Sequence, residues 1–214
     1  MTSDVDDDFE LHKNTNCALA NDLAGILAIG GSEASDASQS VEFWSAEQGS
    51  CVLSDYPREM GDGTVDLVSG RLVACYETWY EQTCEIYKEG LWQHLQNTTE
   101  RRSAHSSVTT EEEEERVLLI GGKSSNSTEW IPAVEEGSDV QQPGPFAVRH
   151  GYSHCTIQLS DGFLVVTGGL NTEPFVTQYH LDGRNDWVLT PLGQPRRSHA
   201  CGVFRDADDQ QVSF

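Results

Sequence analysis

The residues best suited to chemistry recur along this chain at intervals. Three histidines each stand shortly after an arginine, in Arg102 to His105, Arg149 to His154, and Arg197-Ser198-His199. Imidazoles converging on one axis would serve as metal ligands or general bases, with guanidiniums beside them to hold an anionic group. Recurrence points the other way. A catalytic residue breaks the symmetry of a repeat, whereas a structural residue follows it. The expectation is therefore that each histidine hydrogen-bonds a neighbouring unit where its first strand begins. The arginines are expected to find carboxylate or carbonyl partners.

The six cysteines are Cys17, Cys51, Cys75, Cys84, Cys155 and Cys201. Cys75 and Cys84 stand at the end of one expected strand and the start of its antiparallel neighbour, where a disulfide fits in an oxidising compartment. Cys17, Cys155 and Cys201 fall in expected first strands and read as small buried apolar residues. No pair has the C-x-x-C spacing of a zinc or redox site, and G-x-S-x-G, H-E-x-x-H and P-loop patterns are absent from the sequence. No catalytic residue, metal ligand or cofactor is assigned.

Charge is distributed unevenly. The 214 residues carry 13 Lys+Arg against 35 Asp+Glu, for a formal charge of −22. Asp4, Asp6, Asp7, Asp8 and Glu10 form one acidic run, within an expected N-terminal tail spanning 1–16, and Glu111 to Glu115 form another at an expected hairpin tip. The first run lacks the turn glycine and distal glutamate of an EF-hand loop. So acidic a chain repels phosphate backbones, which excludes sequence-independent nucleic-acid binding. Nowhere do the roughly 18–20 consecutive apolar residues of a membrane span occur. Residues 1–30 lack the basic start and uninterrupted apolar stretch of a secretory leader. Two acceptor sequons, Asn97-Thr98-Thr99 and Asn126-Ser127-Thr128, nevertheless join the cysteines in favouring an extracellular or secreted setting over the cytoplasmic alternative. A longer natural N-terminus would reconcile the two.

What must position these residues is an internal repeat. Ile26-Leu27-Ala28-Ile29-Gly30-Gly31 recurs as Val117-Leu118-Leu119-Ile120-Gly121-Gly122 and as Phe163-Leu164-Val165-Val166-Thr167-Gly168-Gly169. A degenerate copy, Arg71 to Tyr76, replaces the glycine pair with Cys75-Tyr76. Successive copies are 45, 46 and 47 residues apart, from 30 to 75, 121 and 168. Each is followed by a β-former, Glu or Gln, and a large apolar residue: Val41-Glu42-Phe43, Cys84-Glu85-Ile86, Thr128-Glu129-Trp130 and Thr177-Gln178-Tyr179. Asp161-Gly162 suits a tight hairpin turn between the first two strands of the last complete copy. Every unit then reads as four short antiparallel strands. The fold class is all-β.

This pattern resembles the kelch repeat, over roughly residues 17 to 205. The matching residues are the pairs Gly30-Gly31, Gly121-Gly122 and Gly168-Gly169, the aromatics Phe43, Trp130 and Tyr179, and the late tryptophans Trp92 and Trp187. The resemblance implies a β-propeller within 17–214, with blades near 17–56, 64–96, 102–140 and 149–192 and the start of a fifth at 197–214. A kelch-like ring of six or seven blades would need the remaining blades, or a second copy, to close, so a fragment of a longer protein is expected.

The kelch resemblance implies a non-enzymatic module whose connecting loops bind a protein or glycan, here one with a basic patch to match the acidic surface. The residues expected to form the contact are Tyr76, Glu77, Trp79, Tyr80 and Glu81, read as a loop between Cys75 and Cys84. Two alternatives share the architecture. One is a sugar-modifying enzyme, either a copper oxidase similar to galactose oxidase, whose copper-binding Tyr and His set has no match here, or a propeller isomerase. The other is the substrate-recognition part of an intracellular ubiquitin-ligase adaptor, without the BTB half.

Overall fold

The computed structural model describes residues 26–30, 39–46, 49–60, 62–68, 70–77, 82–110, 116–133, 142–147, 152–159, 162–170, 175–181, 188–198, 201, 204–205 and 211–212. All regular structure among them is β-strand. The chain divides into two compact units, Met1–Gly61 and Asp62–Phe214.

The first unit contains a meander of β1 (Ile26–Ile29), β2 (Val41–Ser45) and β3 (Gly49–Val52), paired antiparallel in that order. Alternation sets its faces: Val41, Phe43 and Ser45 are buried while Trp44 between them is exposed. The chain beyond β3 folds back, with Leu53 N–H donating to the Val41 carbonyl at 2.9 Å and Tyr56 N–H to that of Gln39 at 2.7 Å. It buries Leu53, Tyr56 and Met60. Gly30, at φ +69°, has the Met60 carbonyl so close that a Cβ would stand 2.2 Å from its oxygen. That close approach accounts for the first repeat glycine. Gly31 and the expected first strand of this unit, with Cys17, lie outside the described residues.

The second unit holds three four-stranded antiparallel meanders. They are β4 (Thr64–Val68), β5 (Arg71–Glu77), β6 (Gln82–Lys88) and β7 (Leu91–Asn97); β8 (Ser106–Thr110), β9 (Arg116–Ile120), β10 (Ser127–Pro132) and β11 (Gln142–Ala147); and β12 (His154–Gln158), β13 (Phe163–Gly168), β14 (Phe175–His180) and β15 (Val188–Pro191). A two-stranded piece, β16 (Phe204–Arg205) with β17 (Gln211–Val212), follows. The first strands of the three meanders are neighbours, β4 beside β8 and β8 beside β12.

Packing explains the uninterrupted apolar run of β9. Val117 and Leu119 join Val68, Val73, Ile86 and the Cys75 and Cys84 pair in one core between the first two sheets. Leu118 and Ile120 join Val108, Leu164, Val166 and Tyr179 in a second core on the opposite face. The middle sheet is thus covered on both sides, and its second strand has no solvent face to make polar. Burying such a side chain contributes about 1.5–3 kcal/mol.

The degenerate copy behaves differently at its end. With no glycine pair to turn the chain, β5 continues through Tyr76 and Glu77, pairing Cys75 with Cys84, Tyr76 with Thr83 and Glu77 with Gln82. Cys75 and Cys84 form a disulfide across this hairpin, their Cα atoms 4.1 Å apart. A second disulfide corrects the sequence reading of two further cysteines. Cys155 in β12 and Cys201, 46 residues later, are bonded to each other and are not lone apolar residues. Their separation of 46 residues matches the spacing of the repeat. Cys51 is also disulfide-bonded, and no described cysteine is free.

Candidate functional site

The chemistry-bearing residues gather at the end of the second unit where the linkers between sheets arrive and the first strands begin. Ala104, Ser153 and Ser198 each adopt positive φ, at 52°, 58° and 47°, and each immediately precedes one of the recurring histidines. This left-handed conformation costs a residue with a Cβ about 1–2 kcal/mol. These same residues link sheet to sheet. Ala104 N–H donates to the Asp62 carbonyl at 3.4 Å, Ser153 N–H to that of Ala104 at 3.0 Å, and Ser198 N–H to that of Ser153 at 2.9 Å. Backbone amides at equivalent places therefore form a continuous ladder across successive repeats.

Two of the histidines reinforce the ladder. His105 is buried, and its Nδ1 bonds the Arg102 carbonyl. A carbonyl only accepts, so Nδ1 carries the proton and Nε2 accepts from Thr64 Oγ1 in the preceding sheet, at 3.0 Å. Burial is the main reason that its pKa is pulled down to about 4, which keeps the ring neutral. His154 repeats the arrangement one sheet later, its Nε2 2.8 Å from Ser106 Oγ. Ser106 in turn bonds Thr156 Oγ1 at 2.6 Å. His199 and Arg149 lie outside the described residues, while Arg197 is exposed.

Arg102 is heavily bonded. It is 2% exposed, and its Nε donates to Glu129 Oε2 at 3.2 Å. Nη1 donates to the carbonyls of Gly121 and Ser127 and to Ser125 Oγ, and Nη2 to Ser127 Oγ. Glu129, fully buried in β10, also accepts from Thr99 N–H at 2.8 Å and Thr99 Oγ1 at 2.9 Å. One carboxylate thereby fastens the linker leaving β7 to the next sheet. Glu100 accepts from the hydroxyls of Ser125 and Ser127, which hold its carboxyl below the usual range. Gly122, at φ +125°, leaves room for this linker: a Cβ there would stand 2.7 Å from the Arg102 Cα.

Asp66 adds a titratable group beside this end. It lies on β4, and burial pushes its carboxyl up to about 6 against the opposing hydrogen bond from Ser107. Sequence reasoning missed Asp66, Glu129 as a clamp, and the left-handed ladder. The small residue directly before each histidine, Ala104, Ser153 or Ser198, was the available sign of the last.

The expected aromatic contact is only partly accounted for. Tyr76 is 2% exposed within β5, a buried strand residue where a surface loop was expected. Glu77 ends the same strand, and Trp79, Tyr80 and Glu81 lie outside the described residues, as do Glu111 to Glu115. Asn97 ends β7 and Asn126 lies in the turn before β10; both are exposed. Gly121, Gly168 and Gly169 all have positive φ, and Gly169 N–H donates to the Arg196 carbonyl at 2.9 Å, so here too a linker crosses a glycine pair.

Among the described residues no group of three or more His, Cys, Asp or Glu side chains is arranged to hold a metal ion, and no helix is long and apolar enough to cross a membrane. No protein-family model matches the chain, and no curated protein matches it.

Proposed function

We propose that this chain is part of a kelch-type β-propeller acting as a non-enzymatic recognition module, with its strand connections presented to a protein or glycan bearing a basic patch. The supporting observation is the use already made of the recurring basic residues. His105 and His154 bond hydroxyls of the preceding sheet, and Arg102 is enclosed by a carboxylate, two carbonyls and two hydroxyls. A sugar-modifying enzyme of either kind would need such residues turned towards substrate. Equivalent sheets at 46- and 47-residue intervals in the second unit, joined first strand to first strand, support the propeller reading. The net charge of −22 supports a basic partner, since complementary fields speed encounter. Two disulfides support an oxidising, extracellular-type setting.

The test is titration of the full chain with a lysine- and arginine-rich peptide and with an immobilised glycan panel. Variants would neutralise Glu111 to Glu115 or truncate Trp79 and Tyr80 to alanine. Saturable binding weakened by one of these sets supports the module. Saturable turnover of a sugar, lost in His154→Ala while the fold is retained, refutes it.

A further inference from the structure

We infer that Asn97 and Asn126 are N-glycan acceptors, and that their two glycans flank a single inter-sheet linker. Each asparagine heads an N-x-Thr sequon, with Thr99 and Thr128 at the third positions. Each is exposed, Asn97 as the last residue of β7 and Asn126 in the turn between β9 and β10. Parts of both sequons are enclosed. Thr98 is 5% exposed and Thr128 2%, and the Thr99 hydroxyl is engaged by Glu129. The folded protein therefore engages the Thr99 hydroxyl and buries Thr128, while each asparagine stands at a place where a bulky hydrophilic substituent meets solvent. Attachment falls before folding, when the threonines are still free to be recognised.

The disulfides point independently to the same compartment. Cys75–Cys84 and Cys155–Cys201 require oxidising conditions, and the secretory route that supplies them also supplies N-glycans. The inference thus rests on the extracellular setting proposed above.

Geometry brings the two sites to one place. Thr98 N–H donates to the Gln82 carbonyl, pinning the chain just after Asn97 to the first sheet of the second unit. Glu100, three residues after Asn97, accepts from Ser125 and Ser127 on either side of Asn126. The linker that starts at Asn97 consequently passes Asn126 at Glu100. Glycans there would cover the seam at which Arg102, Glu129 and Thr99 join two sheets and keep proteases from the linker.

The experiment uses protein from its own source and, in parallel, the full chain secreted from animal cells. Intact mass is measured before and after peptide N-glycosidase F, with thiols alkylated with and without prior reduction. The expected result is two glycan increments, one lost in Asn97→Gln, one in Asn126→Gln and both in the double variant. A secreted, disulfide-bonded chain of bare mass would overturn the inference and leave the extracellular reading standing. Free thiols in the source protein would overturn both.

Discussion

Asp66→Asn isolates one titration from everything else in the fold. In the native protein the Asp66 carboxyl holds its proton up to about pH 6, against 3.8 for an unperturbed group. The folded state therefore binds more protons than the unfolded chain between those values, and its stability falls as pH rises through the window. A displacement of this size corresponds to about 3 kcal/mol. Asparagine preserves the shape and the bond with Ser107 but has no charge to bury. The variant should match the wild type near pH 4 and exceed it by about 3 kcal/mol at pH 7. For a domain of this size that is about 6–12 °C in Tm. His105 works in the opposite direction. Its pKa of about 4 lies below the unperturbed 6.5, so its contribution is complete above pH 6.5 and is lost as pH falls towards 4. The two slopes oppose each other in the wild type, and Asp66→Asn should expose the histidine's as a new acid sensitivity. Thermal unfolding of both proteins in matched buffers at pH 4, 5, 6 and 7 measures this. A Tm difference that stays constant across the series would refute the reasoning.

Three further outcomes follow from the packing. Arg102→Met should destabilise by about 3–5 kcal/mol because it leaves the Glu129 carboxylate buried without its guanidinium; adding Glu129→Gln should recover much of that, as a urea double-mutant cycle would show. Gly122→Ala forces a Cβ to within 2.7 Å of the Arg102 backbone and should cost several times more than Gly90→Ala, where open space leaves only the positive-φ penalty of about 1 kcal/mol; denaturant midpoints of the two variants compare them. Replacing Cys155 and Cys201 by serine should cost about 1.4 kcal/mol more than replacing Cys75 and Cys84, since the crosslinked segments differ in length, 46 residues against 9; denaturant unfolding of the two double variants reads the difference.

Much of the fold was legible because burial writes itself into strand composition. Val41-Glu42-Phe43-Trp44-Ser45 alternates because one face is covered, and Val117 to Ile120 does not because both are. The part of Arg102 was legible in outline, as a guanidinium with carboxylate or carbonyl partners, but not its burial. Tyr76 was read as part of a loop between Cys75 and Cys84, whereas without a glycine pair the strand runs on through it. The Cys155–Cys201 bond depends on two distant segments being neighbours, which no local pattern encodes, although its separation of 46 residues matches the repeat. Asp66 looks like any strand carboxylate until β8 is placed beside it.

The backbone ladder makes the described seams of the second unit chemically alike: the amides of left-handed Ala104, Ser153 and Ser198 meet the carbonyls of Asp62, Ala104 and Ser153 in turn. Interchangeable seams carry a hazard during folding. A sheet that docks one position too early finds its backbone partners waiting and registers no error there, the kind of misassembly to which repeat proteins are prone. Correct order must then be enforced by features that differ from one seam to the next. Arg102 with Glu129 belongs to one seam alone, the Cys155–Cys201 bond to another, and the hydroxyl facing each histidine changes from threonine at 64 to serine at 106. The common ladder supplies adhesion, and these individual contacts supply the address.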